Sequence, residues 1–243
     1  MAELLIVSLG STAGLRASDA ELAASLRRCG ADLAVVAAVA PRQRAHLALT
    51  GAPARHAPAI VVPIVVERSG PALPREQRDI AAITYAANPD KKGLDRVLEA
   101  WAAARREGEE LVVTGIDDAP HADGVRLAGT LARDEYRALL RRSRLYIAAP
   151  RREEFGIAQL EALADGAMLV SSETTVPYVA LALAREADPR LVGPDLASAI
   201  RTALDDPRPG YAEAVAPALE RFSAASVDRV IAEQVLPALL GER

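Results

Sequence analysis

From residue 80 onward, short apolar runs alternate with amphipathic segments, and that alternation confines the chain to few folds. Ile80–Tyr85, Leu111–Thr114, Val125–Leu127, Leu145–Ala149 and Met168–Ser171 read as strands. Between and after them, Leu94–Arg106, Arg133–Arg142, Gly156–Ala164 and Pro177–Ala184 read as helices. Leu191–Val192 reads as a last short strand, followed by helices over Asp195–Leu204, Ala212–Phe222 and Ala225–Leu240. Short strands that alternate with helices need a crossover each time. The sheet is therefore expected to be parallel and covered on both faces.

The first third repeats this grammar in shorter form. An apolar run at Leu4–Leu9 meets Gly10-Ser-Thr-Ala-Gly14, and a helical pattern then passes through Leu22, Ala23 and Leu26. Cys29-Gly30 stops that helix, and Leu33–Ala40 reads as a second buried strand, giving a β-loop-α-β unit of the Rossmann kind. Pro41–Pro58 carries little pattern beyond a short helix around His46–Leu49. Ile60–Val66 is another β-branched run, and Ser69-Gly-Pro-Ala-Leu-Pro is a linker. The expected division is a reduced N-terminal part over 1–67 and a complete α/β domain over 68–243.

Composition excludes several classes. Of the 243 residues 51% are hydrophobic and 26% charged, which is globular. The net charge of −4 divides into +2 over the first 80 residues and −6 over the rest, so neither part has the basic surplus of a nucleic-acid binder. A single cysteine, Cys29, supports neither an internal disulfide nor a cysteine-rich metal site. No basic segment precedes the first apolar run, which reads as a strand and not a signal peptide. No run reaches the roughly 18–20 apolar residues of a membrane span. A cytoplasmic protein is expected, with contact to a membrane surface left open. Arginine outnumbers lysine 27 to 2, and the two lysines are the neighbours Lys91 and Lys92. The pair marks either a local need for ammonium groups or chance on a solvated surface.

Two stretches carry candidate chemistry. Pro150-Arg-Arg-Glu153-Glu-Phe-Gly156-Ile-Ala-Gln-Leu-Glu161-Ala-Leu-Ala-Asp-Gly166 follows a strand and opens a helix, at the sheet edge where open α/β folds bind ligands. Gly156 lets a ligand approach the backbone, and the helix start favours an anion. Glu153 precedes the helix and Glu161 lies inside it among Leu160, Ala162 and Leu163. Carboxylates accept paired hydrogen bonds from vicinal hydroxyls, which suits a ribose and a sugar attached to phosphates. The second stretch, Tyr85-Ala-Ala-Asn88-Pro-Asp-Lys91-Lys92-Gly93-Leu-Asp, joins another strand to a helix over the same edge. Lysine there neutralises a diphosphate. The alternative readings are a glutamate that only favours the helix dipole and a lysine on a solvated turn. Glu161 likewise either faces a cleft or pairs internally with an arginine.

These residues resemble the nucleotide-sugar signature of retaining, family 4-type glycosyltransferases of GT-B fold. The resemblance rests on Glu153-x7-Glu161 with Phe155-Gly156 between them, and on the Glu-Ala-Leu-Ala-Asp-Gly that follows. Lys92-Gly93-Leu-Asp, Leu98-x-Ala-Trp101, Leu111-Val-Val-Thr-Gly115 and Val125-Arg-Leu-Ala-Gly129 keep the family's order, so it covers about residues 60 to 205. It implies a GT-B-like α/β protein whose last helix, about 225–240, returns to the N-terminal part. It also implies transfer of a sugar from a nucleotide-diphosphate donor to an unknown acceptor, without metal or other cofactor. By the same resemblance Glu153 binds donor-sugar hydroxyls and Glu161 the ribose. Lys92 and the amides of Gly156 and Ile157 hold the diphosphate, the loop from Gly129 to Leu131 lies near the base, and the turn at Gly14 faces the phosphates.

The departures from the pattern are local. Ala87 and Asn88 stand where the family has Gly and Arg, leaving Asn88 at the donor position and Arg151 and Arg152 as candidates to compensate. Arg141, Arg142 and Arg144 precede their strand and are read as solvated at the opposite edge. Ser171-Ser-Glu-Thr-Thr-Val-Pro177 replaces the usual Gly-Gly-Pro-Glu loop. The segment that normally supplies the acceptor pocket is missing between Thr50 and Val61, which motivates a second reading: a non-catalytic nucleotide-sugar-binding or interaction protein. No Asp-x-Asp, Gly-x-Gly-x-x-Gly, Walker A or Gly-x-Ser-x-Gly pattern occurs, so metal-diphosphate, dehydrogenase, ATPase and serine-hydrolase readings have no support.

Overall fold

The computed structural model describes residues 3–7, 13–36, 62–71, 73–119, 121–153, 155–175 and 177–237. The chain divides into two units. One comprises the residues up to Val66 together with those from Glu220 on, and the other is the continuous stretch Glu67–Leu219.

In the first unit, β1 (Glu3–Val7) pairs in parallel with β2 (Asp32–Val36), Glu3 opposite Asp32 and Val7 opposite Val36. Helix α1 (Ala13–Arg28) connects them right up to Gly30, whose φ of +89° closes the helix as Ala31 N donates to Leu26 O.

The second unit carries five strands and seven helices among its described residues. In chain order these are β3 (Ile80–Tyr85), α2 (Pro89–Lys92), α3 (Leu94–Ala104), β4 (Leu111–Thr114), β5 (Val125–Gly129) and α4 (Arg133–Arg142). Then come β6 (Ser143–Ala148), α5 (Ile157–Ala164), β7 (Met168–Ser171), α6 (Val179–Ala187), α7 (Leu196–Asp205) and α8 (Tyr211–Leu219). The spatial order is β5-β4-β3-β6-β7 and every pairing is parallel, as the alternation requires. β3, β4, β6 and β7 are buried almost throughout, whereas β5, at the edge, leaves Arg126 and Leu127 exposed. Ile83, Leu111, Leu145, Ile147 and Leu169 supply the sheet's part of the core; Trp101, Leu140, Leu160, Leu181 and Ile200 cover it from the helices.

The strand order has one consequence for function. Chain progression runs outward in one direction from β3 to β5 and in the other from β6 to β7. β3 and β6 therefore flank the topological switch point, where the loops leaving the two strands diverge and open a crevice.

Arginines close four helices of this unit. The last carbonyls of a helix lack intrahelical donors, and a guanidinium answers both that need and the dipole. Arg201 reaches Ala104 O at the end of α3, Arg68 reaches Ala164 O at the end of α5, and Arg208 reaches Ala187 O at the end of α6. Arg75 spans Ala203 O (2.7 Å) and Leu204 O (3.3 Å) in α7. Arg78, 4% exposed, divides its donors among Leu73 O, Ser143 O and Asp165 O, and a Cβ on Gly166 would sit 2.5 Å from its Nη2. A guanidinium spans several carbonyls as an ammonium does not, which gives the preference for arginine over lysine a structural use.

After α8 a 3-10 turn (Glu220–Phe222) leads into α9 (Ala224–Val230), which continues through a π-turn over Ile231–Val235. Leu26 of α1, Val227 and Ile231 form the buried centre of the first unit, with Leu22, Val62 and Val65 packed around it. Arg28 clamps Asp228 through Nε (2.7 Å) and Nη2 (2.9 Å).

Several sequence expectations need correction. The described part of the expected strand Ile60–Val66 joins no ladder: Val62 and Val65 pack on helices, and Val66 N donates to Phe222 O. Pro63 also lacks the N–H that a strand interior uses. Leu191–Val192 becomes a 3-10 turn (Pro189–Leu191) started by the Asp188 cap, with a single bridge from Ser171 to Val192. Arg142 pairs with Asp79 and Arg144, which lies inside β6, donates to Arg78 O, so this basic cluster is bonded and not merely solvated. The expected helix around His46, and Gly10, lie outside the described residues.

Candidate functional site

The loop leaving β3 and the loop leaving β6 meet at the switch point. Asn88 caps α2, its Oδ1 accepting from Lys91 N at 3.0 Å, and this turn ends at Lys92. Gly93 (φ +64°) then reverses the chain into α3; a Cβ there would lie 2.0 Å from Ala149 O, so only glycine lets the loop rest on the end of β6. Arg151 N donates to Lys91 O at 3.0 Å and joins the two loops. The Arg151 side chain holds Asp90 O and both oxygens of Asp95. It therefore ties the two loops together.

This arrangement places Lys92 Nζ 2.5 Å from Glu153 Oε2. Gln159 Nε2 approaches the same oxygen at 3.4 Å from the first turn of α5. Gly156 (φ +82°) forms the N-cap of α5, with Ile157 its first residue, and a Cβ on Gly156 would meet the Tyr178 ring at 2.6 Å. Tyr178 is fixed in turn by a 2.9 Å hydrogen bond between its hydroxyl and Ser171 Oγ, and burial pushes its phenol up to about 12. Glu153 thus stands between the Lys92 ammonium and Gln159 in the first turn of α5, and the start of such a helix favours an anion. Arg152 lies exposed in the same loop.

Glu161 sits one turn deeper. It is 8% exposed and faces Arg133 (3.2 Å) and Arg137 (3.3 Å) of α4. Burial raises its carboxyl above the usual range, and the two guanidiniums pull the other way. Arg137 also binds the fully buried Asp165 at 2.7 Å, and Asp165 accepts from Ser69 N and Oγ. Both guanidiniums bond the same oxygen, Oε1, so the internal pairing is present and Oε2 takes no part in it.

Gly129 and Leu131 lie at the same sheet edge, above β5, two strands from the switch point. Gly129 (φ +72°) ends the strand, and Asp117 Oδ1 accepts from Thr130 N, joining this loop to the one after β4. Gly14 lies near the start of α1 in the first unit. Gln159 and Tyr178 were not singled out from the sequence. A glutamine inside the apolar Ile-Ala-Gln-Leu run was the available signal for the first. A shallow groove of about 560 Å³ between α3 and α7, lined by Arg96, Glu99 and Asp195 among others, includes neither Lys92 nor Glu153. Among the described residues no three His, Cys, Asp or Glu side chains form a metal-binding group, and no helix is long and apolar enough to cross a membrane.

The family model described as "Glycosyl transferases group 1" matches residues 77–206, more than half of the chain and both loops of this site. The chain belongs to the group 1 glycosyltransferases. Solved structures agree on the fold. WaaG, a glycosyltransferase involved in lipopolysaccharide biosynthesis, is 17% identical with a TM-score of 0.55, over 84% of this chain and 63% of that one. TarM of S. aureus, solved with UDP, is 15% identical with a TM-score of 0.55, over 81% and 42%. HepE of Anabaena, solved with UDP and glucose, is 18% identical with a TM-score of 0.52, over 65% and 48%. The α/β, GT-B-type fold is thus established, and this group 1 chain spans less than two thirds of each of these relatives. No curated protein matches it in sequence.

Proposed function

We propose that this group 1 glycosyltransferase chain moves a glycosyl unit from a nucleotide-diphosphate sugar to an acceptor hydroxyl, with retention at the anomeric carbon and without a metal. The observation that carries the reading is the Lys92–Glu153 pair beside the Gly156 cap, at the switch point of a parallel sheet. Neighbours of the same fold are described with UDP and with glucose, which supports the same donor class here.

In this reading the chain works by electrostatics. The C–O bond between the anomeric carbon and the diphosphate breaks as the acceptor oxygen bonds to that carbon. Lys92 and the amides of Gly156 and Ile157 stabilise the negative charge that builds on the leaving diphosphate. The acceptor's proton passes to the departing phosphate, so no side chain serves as base. Glu153 orients the sugar hydroxyls, and Glu161, held by Arg133 and Arg137, receives the ribose. Asn88 shapes the Lys92 turn, Arg152 borders the phosphates, and Gly129 and Leu131 lie toward the base.

Isothermal titration with UDP, GDP and ADP tests the donor site: one of them is expected to bind, and Lys92→Ala to weaken it at least tenfold. No binding at millimolar concentration defeats the reading. Release of free nucleotide from the matching nucleotide sugar, unchanged by a chelator, tests catalysis. Donor binding without release under any acceptor supply overturns the enzyme and leaves a binding protein.

A further inference from the structure

Lys92, the cation assigned to the phosphates, and Glu153, the carboxylate assigned to the sugar, pair with each other at 2.5 Å. The Lys92 side chain keeps 21% exposure, whereas that of Glu153 keeps 7%. An anion arriving from solvent therefore meets the ammonium first and competes with Glu153 for it. Resting on the donor-site reading above, we infer that this ion pair makes the site select the intact nucleotide sugar over the bare nucleoside diphosphate.

The argument follows from what each ligand returns. A bare diphosphate satisfies Lys92 but withdraws a hydrogen-bonded cation from a largely buried carboxylate, and such a loss is costly. A nucleotide sugar also engages Lys92, but its hydroxyls stand where Glu153 can accept from them. Both halves of the broken pair are then rebonded. Gln159, whose amide donates toward Glu153 Oε2, keeps the carboxylate in place while Lys92 changes partner. Bare nucleoside diphosphate is the product of the proposed reaction, so the pair favours product release over product retention.

The test compares binding of UDP, GDP or ADP, whichever binds the wild-type chain, with binding of its glucose conjugate. Glu153→Gln keeps the shape and removes the charge that competes for Lys92. It is expected to tighten the nucleoside diphosphate at least fivefold and to lower the preference for the conjugate at least tenfold. Tightening should vanish in Lys92→Ala/Glu153→Gln. If Glu153→Gln melts early, Glu153→Asp, one methylene shorter, is expected to tighten the nucleoside diphosphate in the same direction.

Lysine-labelled NMR reads the pair directly, because the chain contains only Lys91 and Lys92. One side-chain signal should move both on adding the nucleoside diphosphate to the wild type and on making Glu153→Gln. Unchanged or weaker nucleoside diphosphate binding in the Glu153 variants, with wild-type binding intact, overturns the inference and leaves the donor site standing. Lack of wild-type binding removes both.

Discussion

Glu161 and Asp165, four residues apart on one helix and its cap, share Arg137 yet should respond very differently to substitution. Glu161's carboxyl is raised from its ordinary value of 4.5 chiefly by burial, against the pull of Arg137 and Arg133. A raised value in the folded state means the fold binds that proton more tightly than the unfolded chain. Stability from this group is therefore present at low pH and is lost as pH rises from 4.5 through the raised value. Burial of the carboxyl opposes its attraction to Arg137 and Arg133, so Glu161→Gln should leave the melting temperature at neutral pH within a few degrees of wild type. The wild type should gain on the variant as pH falls from about 7 toward 4.5, which paired melts will show. Asp165 is different: fully buried, bonded to Arg137, Ser69 N and Ser69 Oγ, it leaves a buried guanidinium short of its partner when removed. Asp165→Asn should cost about 3–5 kcal/mol by denaturant unfolding. Gly93→Ala meets a backbone carbonyl at a left-handed φ and should cost on the order of 3 kcal/mol or more, with the Lys92 turn displaced.

At the scale of elements, the guanidinium caps give the clearest prediction. Arg75→Lys keeps the charge but spans Ala203 O and Leu204 O less well, and should destabilise by about 1–2 kcal/mol in a urea titration. Nothing in the sequence shows which carbonyl an arginine will find, since the contacts of Arg68, Arg75 and Arg201 join segments far apart in the chain. The elements themselves were legible for a local reason: β3, β4, β6 and β7 each contain a short apolar run, and the amphipathic segments between them admit one period. Ile60–Val66 misled because β-branched residues suit any buried surface, and helix α9 supplies that surface from the far end of the chain. At the site, Lys92, Gly93, Glu153 and Gly156 were legible because each stands at a strand-to-helix junction. The function of Arg151 was not, because its partner Asp95 lies across two loops.

The whole molecule is built from one continuous unit and one discontinuous one. Glu67–Leu219 contains its own five-stranded sheet and core, and the excised segment should unfold as a single cooperative transition by circular dichroism. Residues before Glu67 expressed alone should lack one, because Leu26, Val62 and Val65 are then without Val227 and Ile231. Arg28→Ala, which removes the clamp on Asp228, should increase proteolysis of the first unit and leave the second unchanged. The division also orders events on the ribosome. Helix α1 is made before Glu67–Leu219, and Val227 and Ile231, which pack with its Leu26, are made after it, so the continuous unit is complete while Leu26 still waits for these two partners. A chaperone that shields apolar helices would find this side of α1 available until Val227 and Ile231 have left the exit tunnel.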